Sequence, residues 1–198
     1  LPISQAKRKG TELRLFNPLV IKITMEGGNI MHYKIAVQES QKFITIIKAF
    51  PNIKMNDEND QSIPNFWTEC YNNQQIQRLK SLRPKGKRDV YGLCSPTLKN
   101  ETHFNYGIGI LLDEETDVST LDELLNSGYS IWETKPMDYA VFKCFGNDSR
   151  CIAETWSKFF KEFIPQTGYS QTEDTDYEIY FEEGEEGLFC ELWIPVKK

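Results

Sequence analysis

Histidine is scarce. His32 and His103 are the only two in 198 residues, and nothing beside them reads as a ligand or a base. Metal-assisted hydrolysis and Ser-His-Asp chemistry therefore lack their usual carriers. The five cysteines (Cys70, Cys94, Cys144, Cys151, Cys190) are odd in number, widely spaced and without a CxxC pair. That argues against a disulfide framework and against zinc, and it fits a reducing cytosol. No apolar run approaches the ~18 residues a spanning helix needs. The N-terminus, LPISQAKRKG, lacks the apolar stretch of a secretory signal. The expectation is a cytoplasmic protein with no metal, no cofactor and no membrane partner.

Aromatic residues, by contrast, are plentiful at 13%, with 39% hydrophobic and 26% charged residues overall. The chain is long enough for one good core or for two small half-domains packed together. The rings either fill that core or line a pocket. The net charge of −6 hides segregation. Residues 1–22 set Lys7, Arg8, Lys9, Arg14 and Lys22 against Glu12 alone, and Arg78 to Arg88 holds six basic residues and no acid. Asp113 to Glu123 and Glu173 to Glu186 are dense in carboxylates. So acidic a whole is not expected to bind nucleic acid by itself.

Along the chain, residues 1–30 read as a connector, in which FNPLVIKI is broken by Pro18 and ended by Gly27-Gly28. HYKIAV (32–37) and FITIIKAF (43–50) read as strands, and Asn56 to Gln61 as a polar loop. Ser62 is the expected N-cap of a helix with Pro64 in its first turn. Its stripe of Phe66, Trp67, Cys70 and Tyr71 continues through Ile76 and Leu79 to a stop at Arg83-Pro84-Lys85-Gly86. Strands follow at 89–95 and 103–112, then an acidic linker with a short helical turn at 121–125. The order then repeats: strands at 129–134 and 139–145, a helix capped by Asp148 or Ser149, and a hairpin of 177–181 with 188–196. The second helix shows an apolar face of Ile152, Trp156, Phe159, Phe160 and Phe163 and stops at Pro165 and Gly168. Strand, helix, strand, strand occurs twice. This predicts two α+β halves, each with a helix covering an antiparallel sheet, joined edge to edge with a cleft between them.

YGLCSPTLKNETHFNYGIGI (91–110), YAVFKCFGNDSRCIAETWSKFFKEFIPQTGY (139–169), DYEIYF (176–181) and ELWIPVKK (191–198), patches in order along 31–198, resemble the gyrase-inhibitor-like small-molecule-binding superfamily. This superfamily includes the C-terminal effector domains of AraC-type and multidrug-sensing regulators. SQAKRKGTELRLFNPLVIKITMEGGNIMHYKI (4–35) resembles the junction after the helix-turn-helix pair of AraC-type regulators. The helix-turn-helix region such proteins carry upstream is absent here. The chain is thus expected to be a C-terminal fragment, touching DNA only through the missing part, or else a stand-alone domain with a short leader. The resemblance implies an α+β fold of two modules, 31–112 and 127–198, joined by an acidic linker at 113–126. A pseudo-two-fold axis would relate them, with a ligand groove between their antiparallel sheets.

Glu178 is the first site candidate. Glu178 and Tyr180 share one face of their strand, Glu191 and Trp193 one face of the partnering strand. One face of the hairpin could carry two carboxylates and two rings, and alternation does not decide which face is inside. Family members that sense lipophilic cations resemble this, with a buried glutamate in the strand matching YEIY and an aromatic where Trp193 stands. A desolvated carboxylate attracts a delocalised cation strongly, and ring faces add cation–π attraction of ~0.5–2 kcal/mol each. The further candidates are Tyr106, Tyr91, Trp67, Tyr71, Met137 and Tyr139, about half of which belong to the core on the plainer reading. Trp156, Phe159 and Phe163 are core residues of a covering helix.

Three functions follow. The first is a non-catalytic sensor whose effector is a lipophilic cation. The second is a hydrolase of strained electrophilic rings, with Glu178 as general base beside Trp193 and a groove tyrosine. The third is a gyrase-inhibitor-like protein-interaction module using its acidic surface.

Overall fold

The structure, a computed structural model, describes residues 19–24, 30–52, 61–96, 102–114 and 116–198. Of the expected connector, residues 1–18 and 25–29 lie outside the described residues, as does most of the 56–61 loop. The remainder of the connector is not separate from the sheet. Leu19–Thr24 forms β1 and pairs antiparallel with β2 (Ile30–Gln38), supplying the neighbour that FNPLVIKI needed.

The other strands are β3 (Lys42–Pro51), β4 (Val90–Cys94), β5 (His103–Leu112), β6 (Ser130–Glu133), β7 (Met137–Phe145), β8 (Ser170–Gln171), β9 (Asp176–Tyr180) and β10 (Leu188–Lys197). All join one antiparallel sheet in the order β1-β2-β7-β10-β9-β4-β5-β3-β6, with β8 beside β10. The two halves, β4-β5-β3 and β9-β10-β7, meet at the β4–β9 pair. The fold is α+β with the doubled strand-helix-strand-strand order, but the two sheets are continuous.

β2 leads into β3 yet pairs with β7, and β6 leads into β7 yet pairs with β3. β2 and β3 stand six places apart in the sheet, about 29 Å if it were flat. Only residues 39–41 connect them, a reach of about 14 Å. The sheet must therefore curl until its ends meet. At the start of β3, Thr134 N–H donates to Gln41 O at 2.9 Å and Gln41 N–H to Thr134 Oγ1 at 3.1 Å, extending the β3–β6 ladder into the residues that lead to β2 and β7. Inside the curl lies a core of Phe43, Leu93, Trp132, Tyr139, Val141, Tyr177 and Ile179.

Helices cover the outer face. α1 (Ser62–Asn72) starts at its expected cap, one residue earlier than predicted. Gln61 holds the N-cap position, without a side-chain bond. The stripe does not run unbroken into α2 (Gln75–Ser81), because Gln74 takes a left-handed conformation with φ of 60°. The kink keeps Phe66, Cys70, Ile76 and Leu79 all turned inward. α3 (Val118–Asn126) is longer than the expected turn and is capped by Asp117, which accepts from Ser119 N–H. α4 (Arg150–Lys158) packs on β7 and β10, burying Cys151 at its start; the turn after it buries Phe159 and Phe163. Fully burying side chains of that size contributes about 1.5–3 kcal/mol each. Pro165 does not stop this helix. The preceding turn, Phe159–Phe163, widens to π-helical, and α5 (Ile164–Thr167) follows. A wider turn relieves the clash a proline ring makes with the carbonyl four residues back. Gly168, with φ of 73°, ends the run.

Candidate functional site

Strand pairing divides the expected site residues between the two faces of the sheet. Leu192 pairs with Glu178 and Glu191 with Ile179. Side chains directly opposite each other share a face, so Glu178 and Tyr180 lie on the outer, helix-covered side. Glu191 and Trp193 point into the curl with Tyr177 and Ile179. The hairpin does not gather both carboxylates on one side.

Inside the curl, Glu191 is 7% exposed and already matched. Lys34 Nζ lies 3.3 Å from its Oε1, Trp193 Nε1 donates to its Oε2 at 3.1 Å, and the Lys34 ammonium sits over the Trp193 ring. Tyr139 and Tyr177 pack on Trp193, and Tyr91 on Tyr177. Tyr139 donates to Thr175 O at 3.2 Å, and Met137 packs at the edge of this cluster. Of these, Tyr91, Met137 and Trp193 remain partly accessible. This is a satisfied polar pair within an aromatic core. Lys34→Met should therefore destabilise the protein by about 1–3 kcal/mol, because it leaves Glu191 buried with the indole alone. The double variant with Glu191→Gln should recover most of the loss. Urea unfolding measures both, and a single-variant cost below about 0.5 kcal/mol, the level of an ordinary surface change, would show the pair to be incidental.

The outer side is different. At the β4–β9 junction Gly92 faces Glu178. Glu178 Oε2 accepts from Tyr106 Oη at 2.7 Å, and Trp67 of α1 donates its Nε1–H to the same Tyr106 oxygen at 3.1 Å. The hydroxyl of Tyr180, two residues along the same strand face, also favours the charged form of Glu178. The Tyr180 ring meets Trp67 edge-on at 4.9 Å and Phe189 at 5.6 Å. Three aromatic side chains thus surround one carboxylate beneath α1. Tyr106 is fully buried, whereas Trp67, Tyr180 and Glu178 are half-buried and reachable from outside. Tyr71, one turn along α1, is 63% exposed and does not join them.

Among the described residues no cation pairs with Glu178. Burial pushes its carboxyl up to about 7, against the lowering effect of the two tyrosine hydroxyls. Burial and the neighbouring Glu178 raise the Tyr106 phenol well above its ordinary value, so it stays a donor. The arrangement offers an anionic, water-poor spot walled by ring faces. It suits a delocalised cation or a proton-accepting role near neutrality.

Sequence reasoning missed three residues here. Gly92 makes room for the carboxylate, since a Cβ there would stand 2.3 Å from Glu178 Oε2. Phe189 backs Tyr180. Asp176 has the strand parity of Glu178, a signal available in DYEIY but lost in an acidic stretch that reads as solvated. A concavity of about 440 Å³ lined by Ser40, Gln41, Lys42, Leu111, Leu112 and Asp113 holds none of the candidates.

Residues 34–196 match the family of integron-associated effector binding proteins, Cass2. The chain belongs to that family. Solved structures carry the same fold as this Cass2 member. SAV2435, in a structure bound to tetraphenylphosphonium, is 21% identical over 84% of this chain and 94% of its own, with a TM-score of 0.65. A protein from Staphylococcus aureus MU50, described as a bacterial transcription regulation protein, is 20% identical over 85% and 99%, at 0.63. The integron cassette protein VCH_CASS2 of Vibrio cholerae is 16% identical over 83% and 95%, at 0.57. No curated protein matches the Cass2 chain in sequence. No described helix is long and apolar enough to cross a membrane.

Proposed function

We propose that this effector-binding domain senses a lipophilic cation, which enters between α1 and α4 and sets its charge against Glu178. The observation that carries the reading is the carboxylate itself: desolvated, ringed by Trp67, Tyr106 and Tyr180, and without a cation partner among the described residues. Glu191, the competing carboxylate, is already neutralised by Lys34. A ligand there would first have to displace the lysine. The tetraphenylphosphonium held by SAV2435, a protein of the same fold, supports the ligand class. Binding would be read out through a regulator, and the AraC-type assignment rests on the resemblance of residues 4–35. DNA contact would belong to a helix-turn-helix region outside this sequence. The five free cysteines suit a reducing cytoplasm.

Titration of tryptophan fluorescence with tetraphenylphosphonium at pH 8 tests the reading, because Trp67 borders the site. Saturable binding is expected, weakened about tenfold or more by Glu178→Gln, which deletes a charge–charge attraction in a low-dielectric cleft. Equal affinity for the wild type and the variant would exclude Glu178 as the charge partner.

A carboxyl near 7 hydrogen-bonded to Tyr106 also favours a second reading, general-base hydrolysis. Mass spectrometry of the ligand separates the two. A sensor returns its ligand unchanged, and a hydrolase adds water to it.

A further inference from the structure

We infer that the site around Glu178 on the helix-covered face of β9 is built for lipophilic dications, with Asp176 as its second anionic position. This rests on the cation reading of Glu178 and extends it. In β9, Tyr177 and Ile179 belong to the core inside the curl, which leaves Asp176, Glu178 and Tyr180 together on the helix-covered face. Asp176 pairs with Cys94 and Glu178 with Gly92. The strand of β4 opposite both carboxylates thus presents only small, uncharged side chains.

Several carboxylates are matched by cations: Asp174 by Lys135, Asp113 by Arg83, Glu185 by Lys143 and Glu191 by Lys34. Asp176 is not. Among the described residues no cation and no side-chain donor reaches it, and its hydrogen-bonding partner is its own backbone amide. It is half-buried, on the same strand face as Glu178. Burial, reinforced by the charge of Glu178, holds its carboxyl well above the usual range, so it becomes anionic when a second cationic centre is brought against it. Two residues along a strand set the backbone positions of the two carboxylates about 7 Å apart. Among the described residues no group of three or more His, Cys, Asp or Glu side chains could hold a metal ion. A rigid organic dication can place one charge at each position. Its aromatic body would lie along Trp67 and Tyr180, the half-buried rings beside Glu178. A monocation would leave one carboxylate desolvated and unmatched.

Two probes of nearly the same shape test this. 1-Methyl-4-phenylpyridinium carries one charge. Methyl viologen carries two, held by linked rings at a separation comparable to that of the carboxylates. Calorimetric titration at pH 8 should show the viologen binding about tenfold tighter or more, as a second charge contact requires. Asp176→Asn should bring the ratio of the two affinities close to one, with its thermal midpoint confirming a folded variant. Viologen binding no tighter than the pyridinium in the wild type, including no binding of either, overturns the inference. So does a ratio that Asp176→Asn leaves unchanged. Tetraphenylphosphonium in the same experiment separates the two levels. If it saturates, only the dication preference has failed; if it does not, the cation reading itself has.

Discussion

Glu178→Gln should raise the thermal midpoint at pH 8 and leave it nearly unchanged at pH 4. In the folded protein the carboxyl titrates at about 7, against an ordinary value of 4.5. Between those values the folded chain holds a proton that the unfolded chain has released, so raising the pH favours unfolding. The stability tied to this proton is complete below about pH 4.5 and is lost as the pH rises through 7. Glutamine keeps an oxygen for Tyr106 and never ionises, so the variant escapes the loss. One pKa unit corresponds to about 1.4 kcal/mol. Solvent reaches the cleft, so the expected gain at pH 8 is about 2 kcal/mol, or roughly 4–8 °C for a chain of this size. Scanning calorimetry at half-unit intervals from pH 4 to 8 gives the answer. Midpoints that run parallel for the two proteins would mean that Glu178 is solvated. Cation affinity should show the opposite trend, rising across the same interval as the carboxylate forms. Function and stability thus pull against each other at one residue, as expected of a charge retained for binding rather than for folding.

That trade was partly legible in the sequence. Alternation in DYEIY placed Glu178 and Tyr180 on one side of a strand, and alternation in ELWIPV did the same for Glu191 and Trp193. What alternation cannot supply is register. A slip of one residue between β9 and β10 would have put all four on one face, and only the observed Leu192–Glu178 pairing separates them. The exchange of β2 and β6 between the two halves was hidden for the same reason, since long-range pairing is not written in local periodicity. Local backbone devices were misjudged where a neighbour overrides a rule. The left-handed Gln74 breaks a helix that the apolar stripe continues, and the π-turn at Phe159–Phe163 carries one past Pro165. The covering helices were read well, because 3–4 spacing of large apolar residues has few other uses, but Tyr71 and Phe160, counted in their apolar faces, turn outward.

Gly92→Ala should disable the site through one added carbon. The new Cβ would lie 2.1 Å from Tyr106 Oη, 2.3 Å from Glu178 Oε2 and 3.0 Å from Tyr106 Cζ. The Glu178 carboxylate, at the end of a flexible side chain, can swing away, but the two tyrosine atoms cannot retreat easily. The Tyr106 ring is 3% exposed, packs against Phe50, and is fixed at its hydroxyl by Trp67. Relief therefore requires breaking the Tyr106–Glu178 bond, and a stranded buried hydroxyl costs about 1–3 kcal/mol. Overpacking adds about 1–3 kcal/mol more. We expect a destabilisation of about 2–4 kcal/mol and a cation affinity reduced at least tenfold. A double-mutant cycle identifies the cause. Tyr106→Phe removes the oxygen the new methyl meets first, so the double variant should be more stable than the two single losses predict, by about 1 kcal/mol or more. Strictly additive losses would mean that Gly92 is small for a reason other than the tyrosine–glutamate pair. The carboxylate would then owe its position to something besides the space this glycine leaves.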